Sequence, residues 1–78
     1  LPFPIYEVTI PDTSPLVDKT LEEIRFWQKT RATIIAIRRG DQIILSPGPY
    51  AVLLAGDIVM YIGDTRSVEA VISFINNG

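Results

Sequence analysis

Apolar residues crowd into two short runs around a basic turn: Ile34, Ile35 and Ile37 before Arg38-Arg39-Gly40-Asp41, and Ile43, Ile44 and Leu45 after it. β-Branched runs of this length, separated by a Gly-Asp pair, predict a β-hairpin with glycine at the first central position of its turn. With Gly40-Asp41 as the whole loop, Arg39 lies opposite Gln42, Ile37 opposite Ile44 and Ile35 opposite Ser46. Side chains alternate across a strand, so Ile35, Ile37, Arg39, Gln42, Ile44 and Ser46 share one face. Ile34, Ala36, Arg38, Ile43 and Leu45 share the other. Both faces are apolar in the middle, so this sheet is expected to be covered on both sides.

The rest of the chain supplies the cover. Leu1-Pro2-Phe3-Pro4 has alternate prolines that fix φ and remove donors, so residues 1–5 read as an entering linker and 6–78 as the domain. Tyr6-Glu7-Val8-Thr9-Ile10 alternates as a first strand that Pro11 stops. Thr20-Leu21-Glu22-Glu23 is a capping box, and at about 100° per residue Leu21, Ile24 and Trp27 form the inward stripe of the helix it starts, with Phe26 on the far side. After the hairpin, Gly56-Asp57 turns the chain into a strand over 58–62. Asp64 or Thr65 caps a last helix, in which Val68, Val71, Ile72 and Ile75 recur at i, i+3, i+4 and i+7, and Asn76-Asn77-Gly78 ends it. The order β-α-β-β-β-α predicts an α+β domain: a four-stranded sheet with two helices on one face and a second copy of the chain on the other, with Ile37 in the dimer interface.

Composition narrows the function. Seventy-eight residues make one small domain, and 47% hydrophobic residues is high for that size, in keeping with surface buried against a partner. A net charge of −2 argues against nucleic-acid binding, which draws on a basic excess. With neither cysteine nor histidine the chain lacks disulfides, thiolate chemistry, the usual neutral-pH base and the commonest zinc ligand. No apolar run approaches the ~20 residues of a membrane-spanning helix. The chain carries no initiator methionine and no signal-peptide pattern, and is expected to be either processed or an excised part of a larger protein.

Candidate chemistry is sparse. The carboxylates Asp12, Glu22, Glu23, Asp41, Asp57 and Asp64 fall in turns and at a helix start, where capping and solvation account for them, so no catalytic or metal site is expected. Arg38-Arg39 is read in two ways: as charges that keep a hairpin tip in water, or as an anion site. Adjacent residues point to opposite faces, so one guanidinium, Arg39, joins Ile37, Ile44 and Ser46, a set suited to forking a phosphate beside an apolar wall. Ser46-Pro47-Gly48-Pro49 reads first as a rigid exit from the strand. Trp27 and Tyr50 have rings that can stack on a base, although such aromatics more often pack.

Several short motifs, in order and over most of 6–75, resemble the TrkA-C domain, the C-terminal domain of regulators of potassium conductance. They are Ile10-Pro11 with Ser14-Pro15-Leu16-Val17, Lys19-Thr20-Leu21-Glu22-Glu23, 32–40, Ser46-Pro47-Gly48-Pro49, and Leu54-Ala55-Gly56-Asp57-Ile58-Val59. The resemblance implies a cytoplasmic, dimerising, ligand-sensing regulatory module attached to potassium or other cation channels, transporters and antiporters or their regulatory subunits. Some members bind cyclic di-AMP between two subunits, some only hold dimers together, and a smaller group sits on transcriptional regulators. Together with the reading of the residues themselves, this leads for this chain to the expectation of a non-enzymatic homodimer without a cofactor, a small anionic ligand at Ile37, Arg38, Arg39, Ile44 and Ser46, and no nucleic acid bound by this domain. It departs from the family in three places: glycine is usual where Asp18 and Arg31 stand, and Asn-Pro where Ser46-Pro47 stands. The family also places an apolar residue at 26 and a polar one at 27, which puts Phe26 in the core and Trp27 outside, opposite to the helical stripe.

Overall fold

A computed structural model describes residues 3–78; Leu1 and Pro2 of the expected linker lie outside the described residues. Four antiparallel strands, β1 (Tyr6–Thr9), β2 (Thr33–Arg39), β3 (Gln42–Leu45) and β4 (Ile58–Ile62), form one sheet in the order β1-β4-β2-β3. The helices α1 (Leu21–Ile24), α2 (Phe26–Thr30) and α3 (Thr65–Asn77) complete a small α+β domain, as expected.

The hairpin has the expected register, with Arg39 opposite Gln42 and Ile37 opposite Ile44, and Gly40 at φ +59° supplies the turn. The two faces are exchanged. Ile37, fully buried, points with Val59, Tyr61 and the half-buried Ile44 into the core beneath the helices. The face left open carries Ala36, Arg38, Ile43 and Leu45 with Ile58, Met60 and Ile62 of β4. A β-bulge between Ile34 and Ala36 inserts one extra residue in β2, and it turns Ile34 to the core side opposite Tyr61. Ile37 is therefore a core residue, not a partner contact.

The capping box forms as the sequence predicts: Thr20 Oγ1 accepts from the Glu23 amide at 3.1 Å, and the Glu23 carboxylate accepts from the Thr20 amide at 2.9 Å. The helix then breaks at Arg25, which adopts a left-handed φ of +55°. Restarting at Phe26 shifts the inward stripe by one residue. Phe26 is buried edge-on against Tyr61 and Phe74, while Trp27 turns out to 52% exposure. Thr30 closes this helix, donating its hydroxyl to the Phe26 carbonyl at 2.8 Å and accepting from the Ala32 amide at 3.1 Å.

Asp64 caps α3 by accepting from the Arg66 and Ser67 amides. Its buried stripe is Ser67, Val71, Phe74 and Ile75, whereas Ile72 of the expected stripe is exposed. Small residues let this helix start close to the sheet: a Cβ at Gly63 would meet Ser67 at 3.0 Å and Ala32 at 3.3 Å. Burying each large core side chain, Tyr61, Ile10, Ile37 or Leu53, contributes roughly 1.5–3 kcal/mol.

Candidate functional site

An open groove of about 370 Å³ lies where the first residues of β2 meet the chain just past β3, lined by Leu21, Phe26, Trp27, Gln28, Ala32, Thr33, Ile34 and Pro47. The bulge sets Ile34 in it, the left-handed break at Arg25 sets Trp27 at its rim, and a second left-handed residue, Arg31 at φ +61°, turns the chain from α2 into β2. Ser46 fixes the opposite wall. Its amide donates to the Ile35 carbonyl at 2.8 Å, and its φ of +46° throws Pro47 over the groove. Left-handed φ at Asp18 and Arg31, where the family usually has glycine, and at Ser46, where it often has asparagine, accounts for those family preferences as demands of the backbone.

The five residues expected to form an anion site do not come together. Ile37 lies in the core and Ile44 packs against it. Arg38 stands on the open face, 3.8 Å from the carboxylate of Glu7. Arg39 turns inward and forks Asp57, with Nε to Oδ1 at 2.9 Å and Nη2 to Oδ2 at 2.8 Å, while Nη2 also donates to the Val52 carbonyl. Ser46 alone stands next to the groove, at the far end of the hairpin from the arginines: five steps along β2 separate Ile34 from Arg39, roughly 16 Å. The guanidinium predicted to hold a phosphate already holds a carboxylate.

Asp57 is the polar hub of the fold, with only 1% of its side chain exposed. Burial pushes its carboxyl up, but the Arg39 fork and the Leu54 amide outweigh it and leave the group below its ordinary value. The Arg39 guanidinium is raised by its own hydrogen bonds to Asp57. Among the described residues, every buried side-chain nitrogen or oxygen has a partner, and no three potential metal ligands cluster.

Polar groups near the groove come from elements that local sequence pattern does not connect. Arg31 places its guanidinium 4.6 Å from the centre of the Trp27 ring, a cation–π contact worth about 0.5–1 kcal/mol at an exposed site. Arg31 also lines a neighbouring groove of about 400 Å³ with Lys29, Arg66 and Asp64, and Gln28 borders both. Trp27 was readable as a stacking residue. Gln28, Thr33 and Ile34 did not stand out as site residues, because the groove exists only once 21–34 is folded against Pro47.

Comparison with known proteins bears on this geometry. The sequence model of the TrkA-C domain matches residues 5–76. "Uncharacterized transporter sll0640" of Synechocystis is 38% identical over 63 residues, 81% of this chain and 10% of that protein. "Potassium channel protein 1" of Methanocaldococcus jannaschii is 39% identical over 54 residues, 69% of this chain and 16% of that protein. The chain thus spans a small part of the curated relatives it matches. Among solved structures, the RCK_C domain dimer of S. agalactiae BusR in complex with c-di-AMP superposes with a TM-score of 0.86 at 31% identity, covering 91% of this chain and 93% of that one. BusR in complex with its busAB-promotor DNA gives 0.90 at 31% identity, over 96% of this chain and 37% of that one. The potassium transport protein KtrA RCK C domain in complex with cyclic diadenosine monophosphate gives 0.75 at 28% identity, over 83% and 74%.

Proposed function

Because this chain belongs to the TrkA-C domain family, we propose that it is a ligand-sensing, non-enzymatic regulatory domain that pairs with a second copy of itself and binds cyclic di-AMP between the two. Its parent is a channel, transporter or antiporter for potassium or another monovalent cation, and the domain works at the cytoplasmic face of the membrane. The observation that carries the reading is the open sheet face. Ile43 and Leu45 stand 59% and 75% exposed there, beside Ile58, Met60 and Ile62, with the Arg38–Glu7 pair, Thr9 and Thr33 as the polar side chains on that face. A face of this kind is normally covered by a partner. The groove at Ile34, Thr33 and Pro47 lies at the end of the same hairpin, so a ligand held there by two subunits bears on how they pair. The c-di-AMP complexes of the similar BusR and KtrA domains support the choice of ligand.

A ligand that touches both subunits acts only through its different affinity for two arrangements of the pair, about 1.4 kcal/mol for each tenfold shift in their ratio. That shift is what the attached transport protein reads.

Calorimetric titration with cyclic di-AMP, alongside cyclic di-GMP and ATP, tests the reading together with light scattering of the free domain. Saturable heat from cyclic di-AMP alone, near one ligand per dimer, is the expected result. A folded dimer that takes up no nucleotide would instead be a ligand-free dimerisation module. The match to BusR bound to promoter DNA favours a second reading, the sensor domain of a transcriptional regulator. A basic helix-turn-helix segment in the full-length protein selects that reading, and a pore or membrane-transport domain selects the first.

A further inference from the structure

We propose that Trp27, held in place by Arg31, is a binding wall of the groove, the platform on which the planar base of a nucleotide ligand stacks; this rests on the reading of the domain as a nucleotide sensor. Three observations converge on the pair. Trp27 lines the groove yet is 52% exposed, which is unusual for the largest apolar side chain when Phe26 beside it is buried. Its ring is not left to rotate freely, because the Arg31 guanidinium sits 4.6 Å from the ring centre. Arg31 makes this contact from a φ of +61°, a conformation that disfavours any residue with a Cβ, so the backbone at this turn gains nothing from an arginine.

The surroundings suit a nucleotide. The apolar wall of Ala32, Ile34 and Pro47 matches a base, Gln28 and Thr33 offer hydrogen-bonding groups for a base edge, and the guanidinium of Arg31 lies against the Trp27 ring. Trp27 touches the ligand directly. Arg31 is a positioning residue, acting through the indole that it holds.

Trp27 is the only tryptophan in the chain, so its emission reports the platform without a label. Cyclic di-AMP is titrated into the 78-residue chain while emission and heat are followed together. The expected result is a saturable change in emission that tracks the calorimetric isotherm. Trp27→Ala is expected to weaken binding by about tenfold or more, the usual effect of removing a stacking partner, and Trp27→Phe to retain most of the affinity. Arg31→Gly removes the cation while relieving the left-handed backbone, so its affinity falls several-fold although its melting temperature does not drop, and Arg31→Lys, which keeps the cation over the ring, restores much of the loss. If calorimetry registers cyclic di-AMP binding but emission stays constant and Trp27→Ala binds as the parent does, the platform is refuted and the sensor reading survives. If no nucleotide binds at all, both fall.

Discussion

Arg39 and Asp57, 18 positions apart, meet in a two-toothed ion pair at 2.9 and 2.8 Å that ties the tip of the β2–β3 hairpin to the turn entering β4. The same carboxylate accepts from the Leu54 amide at 2.8 Å, and the same guanidinium donates to the Val52 carbonyl at 2.9 Å. Side chain and backbone thus fasten the 52–57 segment to the sheet at several points.

Removing Arg39 therefore damages the fold before it affects any ligand. Arg39→Ala strands a buried carboxylate, which for a fully enclosed pair costs about 3–5 kcal/mol. The Arg39 side chain is a third exposed, so water relieves part of that cost, and a loss of about 2–3 kcal/mol is expected in urea unfolding. Arg39→Ala combined with Asp57→Asn should lose less than the sum of the two single changes. An unchanged unfolding midpoint for Arg39→Ala would show that the pair is not structural.

The pH response follows from three carboxyls held below their ordinary values: Asp57, where hydrogen bonds overcome burial; Glu23, by the Thr20 backbone amide and side chain; and Asp64, chiefly by the Ser67 amide. A depressed folded-state pKa contributes stability that is complete above the unfolded value near 4 and is lost as pH falls through the folded value. Stability should be flat from about pH 5 to 7 and drop below about pH 4. Asp64→Asn keeps a capping oxygen but removes one titrating group, so denaturant melts should show a shallower acid decline.

The hairpin, its register, both helix caps and the strand order along the chain were legible because each rests on neighbours in sequence. Which face of the hairpin turns inward was not. The bulge between Ile34 and Ala36 and the helices that choose the Ile37 face are tertiary facts, and a hairpin apolar on both sides carries no local preference. The helical stripe failed at Trp27 for a related reason: Arg25 leaves the helix for one residue, and a 3.6-residue period does not survive the break. The resemblance to a known family read Phe26 and Trp27 correctly where periodicity did not. Asp57 looked like an ordinary turn residue because its partner lies a strand away.

At Ser46 the backbone is left-handed, which asparagine tolerates better than serine. Ser46→Asn should raise stability by roughly 0.5 kcal/mol, or about 2–4 °C in a domain of this size. Ser46→Val, β-branched and without a polar side chain, should lower it. Thermal melts followed by circular dichroism check the order, and a valine variant as stable as the parent would mean that this turn adopts another conformation.

The exchange of faces separates folding from pairing. Ile37 is wholly enclosed, so Ile37→Asp places a carboxylate among Val59, Tyr61 and the helices and should leave the domain largely unfolded, by 4 kcal/mol or more on the usual scale for an unpaired buried charge. Leu45 sits on the open face with 75% of its surface free, so Leu45→Asp should change the unfolding free energy of a lone chain by about 0.5 kcal/mol or less. In a pair that meets through this face, the same charge is buried against its own copy. Light scattering at matched concentrations should find Leu45→Asp folded and monomeric where the parent is dimeric. A Leu45→Asp variant that remains dimeric would move the interface off the sheet, to the exposed Tyr50, Val52 and Leu54 of the loop before β4.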